Sequence, residues 1–345
     1  MSKSLEEVNE SVSTQNKKTG FRKLLAFFGP AYLISVGYMD PGNWATDLAG
    51  GASFGYTLLS VILVSSIFAI ILQHLALKLG VASGRDLAQA CGDAFSKPVA
   101  IFLWFVCEIA IAACDLAEVI GSALALQLLF GIPILAGIVI TILDVFLILY
   151  FQNKGFKVIE SIVLSLLIVI VCCFAYELFI SQPSIAGILG GLVPQTSVVM
   201  NPSQLYVAIG ILGATVMPHN LYLHSSIVQT RAIKDTEEDK EKAIKYATWD
   251  STISLGLAFF INAGILILAA AAFHGNNLQH VADIRDAYQL LDPVLGSKLA
   301  SILFAVALLA SGQNATLTGT LAGQIVMEGF LDLRITPWLR RLITR

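Results

Sequence analysis

Asp40-Pro41-Gly42-Asn43 and Met217-Pro218-His219-Asn220 are the two stretches on which the reading of this chain turns. Each lies inside an apolar run long enough to cross a bilayer, and each places a proline where a plain membrane anchor has none. Proline offers no backbone N–H and clashes with the preceding turn, so both helices must unwind near their middle and free backbone carbonyls there. In hydrocarbon that is tolerated only where the break lines a cavity or packs against protein. The two tetrads match in register, Pro41 with Pro218 and Asn43 with Asn220, and they stand five spans apart, so they cross the membrane in opposite directions. A lone proline would read as a kink in a bundle. Two aligned breaks with polar side chains instead predict an inverted five-plus-five repeat with a midplane substrate site between broken helices.

Working outward from these breaks, the sequence offers eight spans of roughly the 20 apolar residues needed to cross a bilayer. They run Leu24 to Gly50, Tyr56 to Leu79, Val99 to Leu129, Ile132 to Phe151, Val158 to Ile180, Leu205 to Gln229, Trp249 to Phe273 and Leu299 to Met327. Residues 1–23 read as a disordered cytoplasmic tail, without the apolar core of a signal peptide. Residues 24–180 form the first five-helix repeat, and residues 205–345 a second repeat that is incomplete at its C-terminus. With the N-terminus inside, all 21 Lys and Arg residues sort so that only Arg285 and Lys298 face outward. That asymmetry fits the positive-inside rule and a multi-pass plasma-membrane protein. The absence of an Asn-x-Ser/Thr acceptor from the outer links points to a bacterial inner membrane.

The composition agrees: 56% of the 345 residues are hydrophobic and 13% charged, against roughly 25% charged in soluble domains. A net charge of -3 gives no basic balance for nucleic acid. The five cysteines, Cys91, Cys107, Cys114, Cys172 and Cys173, lack the spacing of a zinc site or a disulfide framework and read as packing residues. No nucleophile elbow, zinc-protease helix or phosphate loop is present, which argues against an enzyme. No cofactor and no obligate protein partner are expected; the surrounding partner is the lipid bilayer.

The break in the first span brings Asp40 and Asn43 together. The break in the sixth brings Met217 and the carbonyl of Ala214, which Pro218 cannot serve as donor. The three oxygen donors are hard ligands that suit Mg²⁺ and Ca²⁺ as well, whereas the Met217 thioether is soft and favours later transition metals. Met217 is thus the candidate selectivity element, against the plainer reading of a packing methionine. Asp40 and Asn43 also read as helix caps, and Asp40 as a Na⁺ ligand of a symporter for an organic solute. In the third span Glu108, Asp115 and Glu118 share one helix face, the composition of a proton path. His219, two residues past Met217, suits a proton acceptor beside the site. Gln73, His224 and Asn262 are further polar groups of a pathway, and His274 and His280 fall in an outer link where solvated surface is the default.

With these residues, the chain resembles the Nramp family of proton-coupled divalent metal ion transporters from about Phe28 onward. The resemblance implies a LeuT-like fold, metal ligation by Asp40, Asn43, the Ala214 carbonyl and Met217, and proton transfer by His219, Asp115 and Glu118. The cargo it implies is Mn²⁺ or Fe²⁺, with Cd²⁺ and related ions accepted. It also implies ten or more helices, so a chain ending at Arg345, where Arg340 and Arg341 of the polar pathway would open a ninth span, reads as lacking the last helices. A non-transporting metal-binding receptor is the alternative from another class.

Overall fold

In the computed structural model, residues 9, 12–13, 29–152, 156–233, 235–276, 278–281, 283–297 and 299–332 are described, the side chains of 12–13, 144–152 and 156–157 excepted. Arg340, Arg341, Lys298 and the start of the first expected span lie outside them.

The first span is divided as its sequence demands. Helix α1 (Pro30–Ser35) passes into a 3₁₀ turn (Val36–Met39), the chain extends at Asp40, and α2 (Pro41–Phe54) restarts on proline. The second to fifth spans are α3 (Leu59–Ser83), α5 (Lys97–Phe130), α6 (Ile134–Gln152) and α7 (Phe156–Ser181), with α4 (Leu87–Ala94) between the second and third. After the short α8 (Ile185–Gly191) and α9 (Ser197–Met200), the sixth span divides into α10 (Pro202–Thr215) and α11 (Pro218–Ile227). The seventh is α12 (Glu237–Ala272), followed by α13 (Ile284–Leu295), and the eighth is α14 (Ala300–Leu331). Among the described residues six spans are long and apolar enough to cross a membrane, the divided sixth (Pro202–Thr230) among them; the other two expected spans are the divided first one and α6, whose Ile134–Leu143 portion is shorter.

Where the boundaries depart from expectation, local chemistry explains it. The seventh span begins at Glu237 rather than Trp249, because Thr236 caps it by accepting from the Asp239 N–H at 3.2 Å and three acids occupy the positive first turn. Helix α4, unforeseen between the second and third spans, is started by an Asp86/Gln89 capping box. His274 is not simply solvated: it is half-buried, and its Nδ1 pairs with the Ala52 carbonyl at 3.0 Å, closing the end of α2.

Helices α12 and α14 form the axis. The first packs on α1, α2 and α3, the second on α5, α7 and α11, and their shared centre holds the fully buried Trp44. Its ring lies edge-on to Phe304 at 5.2 Å and tilted on Phe174 at 4.9 Å, joining α2, α7 and α14. At the opposite end from residue 29, α13 is fastened to the end of α5 through Arg285 to Gln127 Oε1 at 2.6 Å and Tyr288 to the Leu128 carbonyl at 3.0 Å.

At the end bearing residue 29 the chain buries a charged cluster. Arg231, just past α11, pairs with Glu160 of α7 at 2.8 Å, their side chains 0% and 5% exposed. Asp250 of α12 accepts from the N–H groups of Gly29 and Ala31 at 3.2 and 3.1 Å, capping α1 from another helix. Residues Val12–Ser13 of the expected tail pair in parallel with Arg231–Ala232. Breaking a buried pair by removing one partner costs about 3–5 kcal/mol, because the remaining charge stays buried. Arg231→Met is therefore expected to lower the thermal midpoint in detergent markedly, and adding Glu160→Gln to recover part of the loss. An unchanged midpoint for Arg231→Met would remove the cluster from the account of what holds this end closed.

Candidate metal site

The first break does not leave its carbonyls open, as the sequence suggests; they are clamped by side chains. The Tyr38 carbonyl accepts from Asn262 Nδ2 of α12 at 2.7 Å and also from Asn43 Nδ2. The Met39 carbonyl accepts from Trp44 Nε1 at 3.1 Å and from the Ser311 hydroxyl of α14. Three helices thus hold the unwound segment, and unpaired buried carbonyls, which cost about 1–3 kcal/mol each, are avoided.

Within this frame Asp40, 4% exposed, caps α2: its Oδ1 accepts from the Asn43 N–H at 2.8 Å. The cap reading and the ligand reading coexist, since one carboxylate oxygen serves the cap. Asn43 is buried, and its donation to Tyr38 turns its Oδ1 the other way. In the second break the Met217 N–H bonds to the Thr215 carbonyl at 3.2 Å instead of reaching back four residues to Gly213, and Pro218 has no N–H for Ala214. Two successive carbonyls, Gly213 and Ala214, therefore lose their regular helical donors. The Met217 side chain is buried, and its Sδ meets Cys114 Sγ of α5 at 3.8 Å. Gly37 of the first break lies against Asn220 of the second, whose Nδ2 would stand 2.6 Å from a Gly37 Cβ, so the two breaks meet. Gly121, two turns further along α5, makes room for Pro41: a Cβ there would stand 2.5 Å from the ring. Among the described residues no three His, Cys, Asp or Glu side chains converge as a preformed metal cage.

The acids Asp115 and Glu118 are buried together where α5 meets α14. Asp115 and Glu118 are 2% and 3% exposed and both face Gly319 of α14, whose missing Cβ would stand 3.2 Å from Asp115 Oδ1 and 3.1 Å from Glu118 Oε1. Thr316 donates to Glu118 Oε2 at 3.2 Å. Glu108, two turns below Asp115, is half-buried on the same helix. His219 is buried beside the second break. His224 Nδ1 pairs with Gln73 Oε1 at 2.8 Å and Gln73 Nε2 donates to the Tyr38 hydroxyl at 2.8 Å, so His224, Gln73, Tyr38 and Asn262 form one connected chain reaching the first break.

The geometry also brings in residues that the sequence reading passed over. Asp47 of α2, seven residues past the cap Asp40, is 1% exposed, and its Oδ2 has no hydrogen-bond partner among the described residues. Asn220 is fully buried with neither amide atom paired, its Nδ2 held 2.6 Å from where a Gly37 Cβ would be. Glu177 of α7 is fully buried with both oxygens unpartnered, which nothing nearby explains. The signal for Asp47 and Glu177 was the one that singled out Asp115: an acid at bilayer depth needs a reason.

Residues 31–345 match the family model described as natural resistance-associated macrophage protein-like, or Nramp. The chain belongs to the Nramp family. Among the relatives of this Nramp chain, the divalent metal cation transporter MntH of Mesorhizobium japonicum is 61% identical over 343 residues, 99% of this chain and 76% of that one. The MntH of a Nostoc species is 60% identical over 342 residues, 99% and 77% of the two chains. Among solved structures, the Eremococcus coleocola manganese transporter in complex with an aromatic bis-isothiourea compound superposes with a TM-score of 0.90 at 44% identity, covering 99% of this chain and 72% of that chain. The nucleobase-cation symporter MHP1 shares the fold alone, with a TM-score of 0.65 at 17% identity over 92% of this chain and 70% of that one. The all-α, LeuT-like architecture that the resemblance implied is the one this Nramp chain has.

The clamp on the first break is testable. Asn262→Ala removes one of the two amide donors to the Tyr38 carbonyl, a loss of about 1–2 kcal/mol, so amides around residues 36–44 are expected to exchange hydrogen roughly 5- to 30-fold faster. Exchange measured by mass spectrometry in detergent checks this, and an unaltered rate would mean the turn is held without α12.

Proposed function

We propose that this chain imports divalent transition-metal ions, Mn²⁺ foremost and Fe²⁺ and Cd²⁺ also, in symport with protons across the plasma membrane, with its N-terminus in the cytoplasm. The observation that carries the reading is the meeting of the two breaks: Gly37 of the first lies against Asn220 of the second, whose Nδ2 would stand 2.6 Å from a Gly37 Cβ, with Asp40 and Met217 both buried beside that contact. One anionic oxygen, one amide oxygen, one freed carbonyl and one thioether make a donor set for a borderline transition-metal ion, and the soft atom disfavours Ca²⁺ and Mg²⁺. The names of the MntH relatives and of the manganese transporter support the same cargo.

In this reading Asp40, Asn43, the Ala214 carbonyl and Met217 hold the ion, and the repeats 24–180 and 205–345 move against each other about the breaks. An ion arriving beside Asp40 favours its ionised form and expels a proton held there or on His219. Asp115 and Glu118, facing each other's neighbourhood across Gly319, offer that proton a route along the seam of α5 and α14. The connected chain of His224, Gln73, Tyr38 and Asn262 joins the sixth and seventh spans to the first break and keeps the site in register with both. A metal receptor that does not transport has no use for a second buried acid pair away from the ion.

Uptake of Mn²⁺ into proteoliposomes under an inward proton gradient tests the proposal. The wild-type chain is expected to accumulate the ion, and Asp40→Asn to abolish both uptake and binding, since an amide cannot replace a carboxylate whose attraction for a dication is worth several kcal/mol. Near-native affinity in that variant by calorimetric titration would sink the site assignment.

Coupling has its own test. Asp115→Asn with Glu118→Gln is expected to leave Mn²⁺ affinity within a few-fold, because neither residue is a ligand, while metal-driven acidification of the vesicle interior is lost. A pH-sensitive dye inside the vesicles reads it. Wild-type proton flux per ion in the double variant would return the two acids to a purely structural role.

A further inference from the structure

Met217 reaches from the second break toward α5, and the atom it meets is another sulfur. The Cys114 thiol, half-buried, points at Met217 Sδ from 3.8 Å. On the same helix stand Asp115 and Glu118, the two proposed proton carriers, and Gly121, which packs against Pro41 beside the proposed ligand Asp40. A further buried oxygen lies on α2: Asp47 Oδ2 has no hydrogen-bond partner among the described residues. Cys107 and Cys173 are packing residues of the core, as expected of all five cysteines; Cys114 departs from that expectation, for it faces the site.

We propose that Cys114 is a specificity-determining residue of this site: its sulfur and that of Met217 form a two-sulfur edge that the thiophilic ions Zn²⁺ and Cd²⁺ engage together and Mn²⁺ does not. The inference rests on the reading of Asp40 and Met217 as metal ligands. Geometry carries it. A tetrahedral ion with zinc–sulfur bonds of about 2.3 Å spaces two sulfur ligands about 3.8 Å apart, and the two sulfur atoms already stand at 3.8 Å. Little rearrangement is needed for both to bind one ion. Sulfur donors select the thiophilic metals, whereas Mn²⁺ prefers oxygen ligands in an octahedral arrangement. Mn²⁺ therefore keeps to the oxygen donors and the Met217 thioether, and leaves the thiol protonated.

When a thiophilic ion binds, the Cys114 S–H bond breaks as the sulfur–metal bond forms. The proton leaves to the water by which the ion entered, and no oxidation state changes. The ion is then held by one carboxylate and two sulfurs, one of them anionic, and leaves more slowly than Mn²⁺. The consequence for transport is that Zn²⁺ and Cd²⁺ act on this chain as tight competitors of Mn²⁺ and as poorly released cargo.

Two measurements decide it. In the wild-type chain, titration with Cd²⁺ is expected to raise an ultraviolet sulfur-to-metal charge-transfer band that saturates at one ion per chain and is absent in both Cys114→Ser and Cys114→Ala. In proteoliposome uptake, the ratio of the Cd²⁺ inhibition constant to the Mn²⁺ KM is expected to rise about tenfold or more in Cys114→Ser; a ratio is read because it cancels any general loss of active protein. If the wild type shows no such band while Cd²⁺ still displaces Mn²⁺ and Asp40→Asn abolishes both, the inference about Cys114 falls and the site stands. If the band persists in Asp40→Asn while Mn²⁺ binding is also unaffected, the reading of the site itself falls, and the inference with it.

Discussion

A helix interrupted inside a bilayer must have its freed backbone groups satisfied by protein, because hydrocarbon offers none. In this chain that constraint is met at Tyr38 and Met39. Asn262 of α12, Ser311 of α14, and Asn43 and Trp44 of α2 all converge on those two carbonyls. The clamp ties the first break to the two helices that form the axis of the bundle. Asp40 is the next residue, so its position follows from the same four donors. The break is therefore a fixed point around which the rest of the molecule is packed, and a ligand there inherits its rigidity.

A second constraint is the close approach of α5 and α14. Where polar or acidic side chains of α5 need room, α14 supplies glycine: Gly312 against Ser122, and Gly319 against Asp115 and Glu118. Removing one Cβ allows two carboxyl groups to lie within a helix–helix interface without forcing the axes apart. Because the same face of α5 also carries Cys114 toward Met217 and Gly121 toward Pro41, one helix touches both breaks and both acids. The proposed proton route and the proposed ion site thus share a wall, an arrangement in which the occupancy of one can bias the other.

The two ends of the bundle are closed by different chemistry. At the end bearing residue 29, charges are buried in a paired cluster of Arg231, Glu160 and Asp250, joining the start of the first span to the fifth and seventh and to the end of the sixth. At the other end, half-buried hydrogen bonds from α13 and His274 close over α5 and α2. Buried ion pairs hold well only while every partner is in place, so the first kind of closure is all-or-none, and the second can yield one contact at a time.

How much of this was legible in the sequence depends on the range of the physics. Proline chemistry is local, so Pro41 and Pro218 fixed both breaks and, by their register, the inverted repeat. The same locality gave the eight spans and the freed Ala214 carbonyl. The cost of burying charge depends on depth alone, so Asp40, Asp115 and Glu118 stood out without a partner being known, and Asp47 and Glu177 could have been found by the same rule. What only the tertiary structure decided is which side chains from distant helices meet. No spacing in the chain connects Asn262 or Ser311 with carbonyls more than 200 residues away, nor Cys114 with Met217 across 103 positions, nor Gly319 with two carboxylates of α5. A hydrogen bond or a sulfur contact has a reach of a few ångströms, and only the packing of whole helices sets which atoms fall within it.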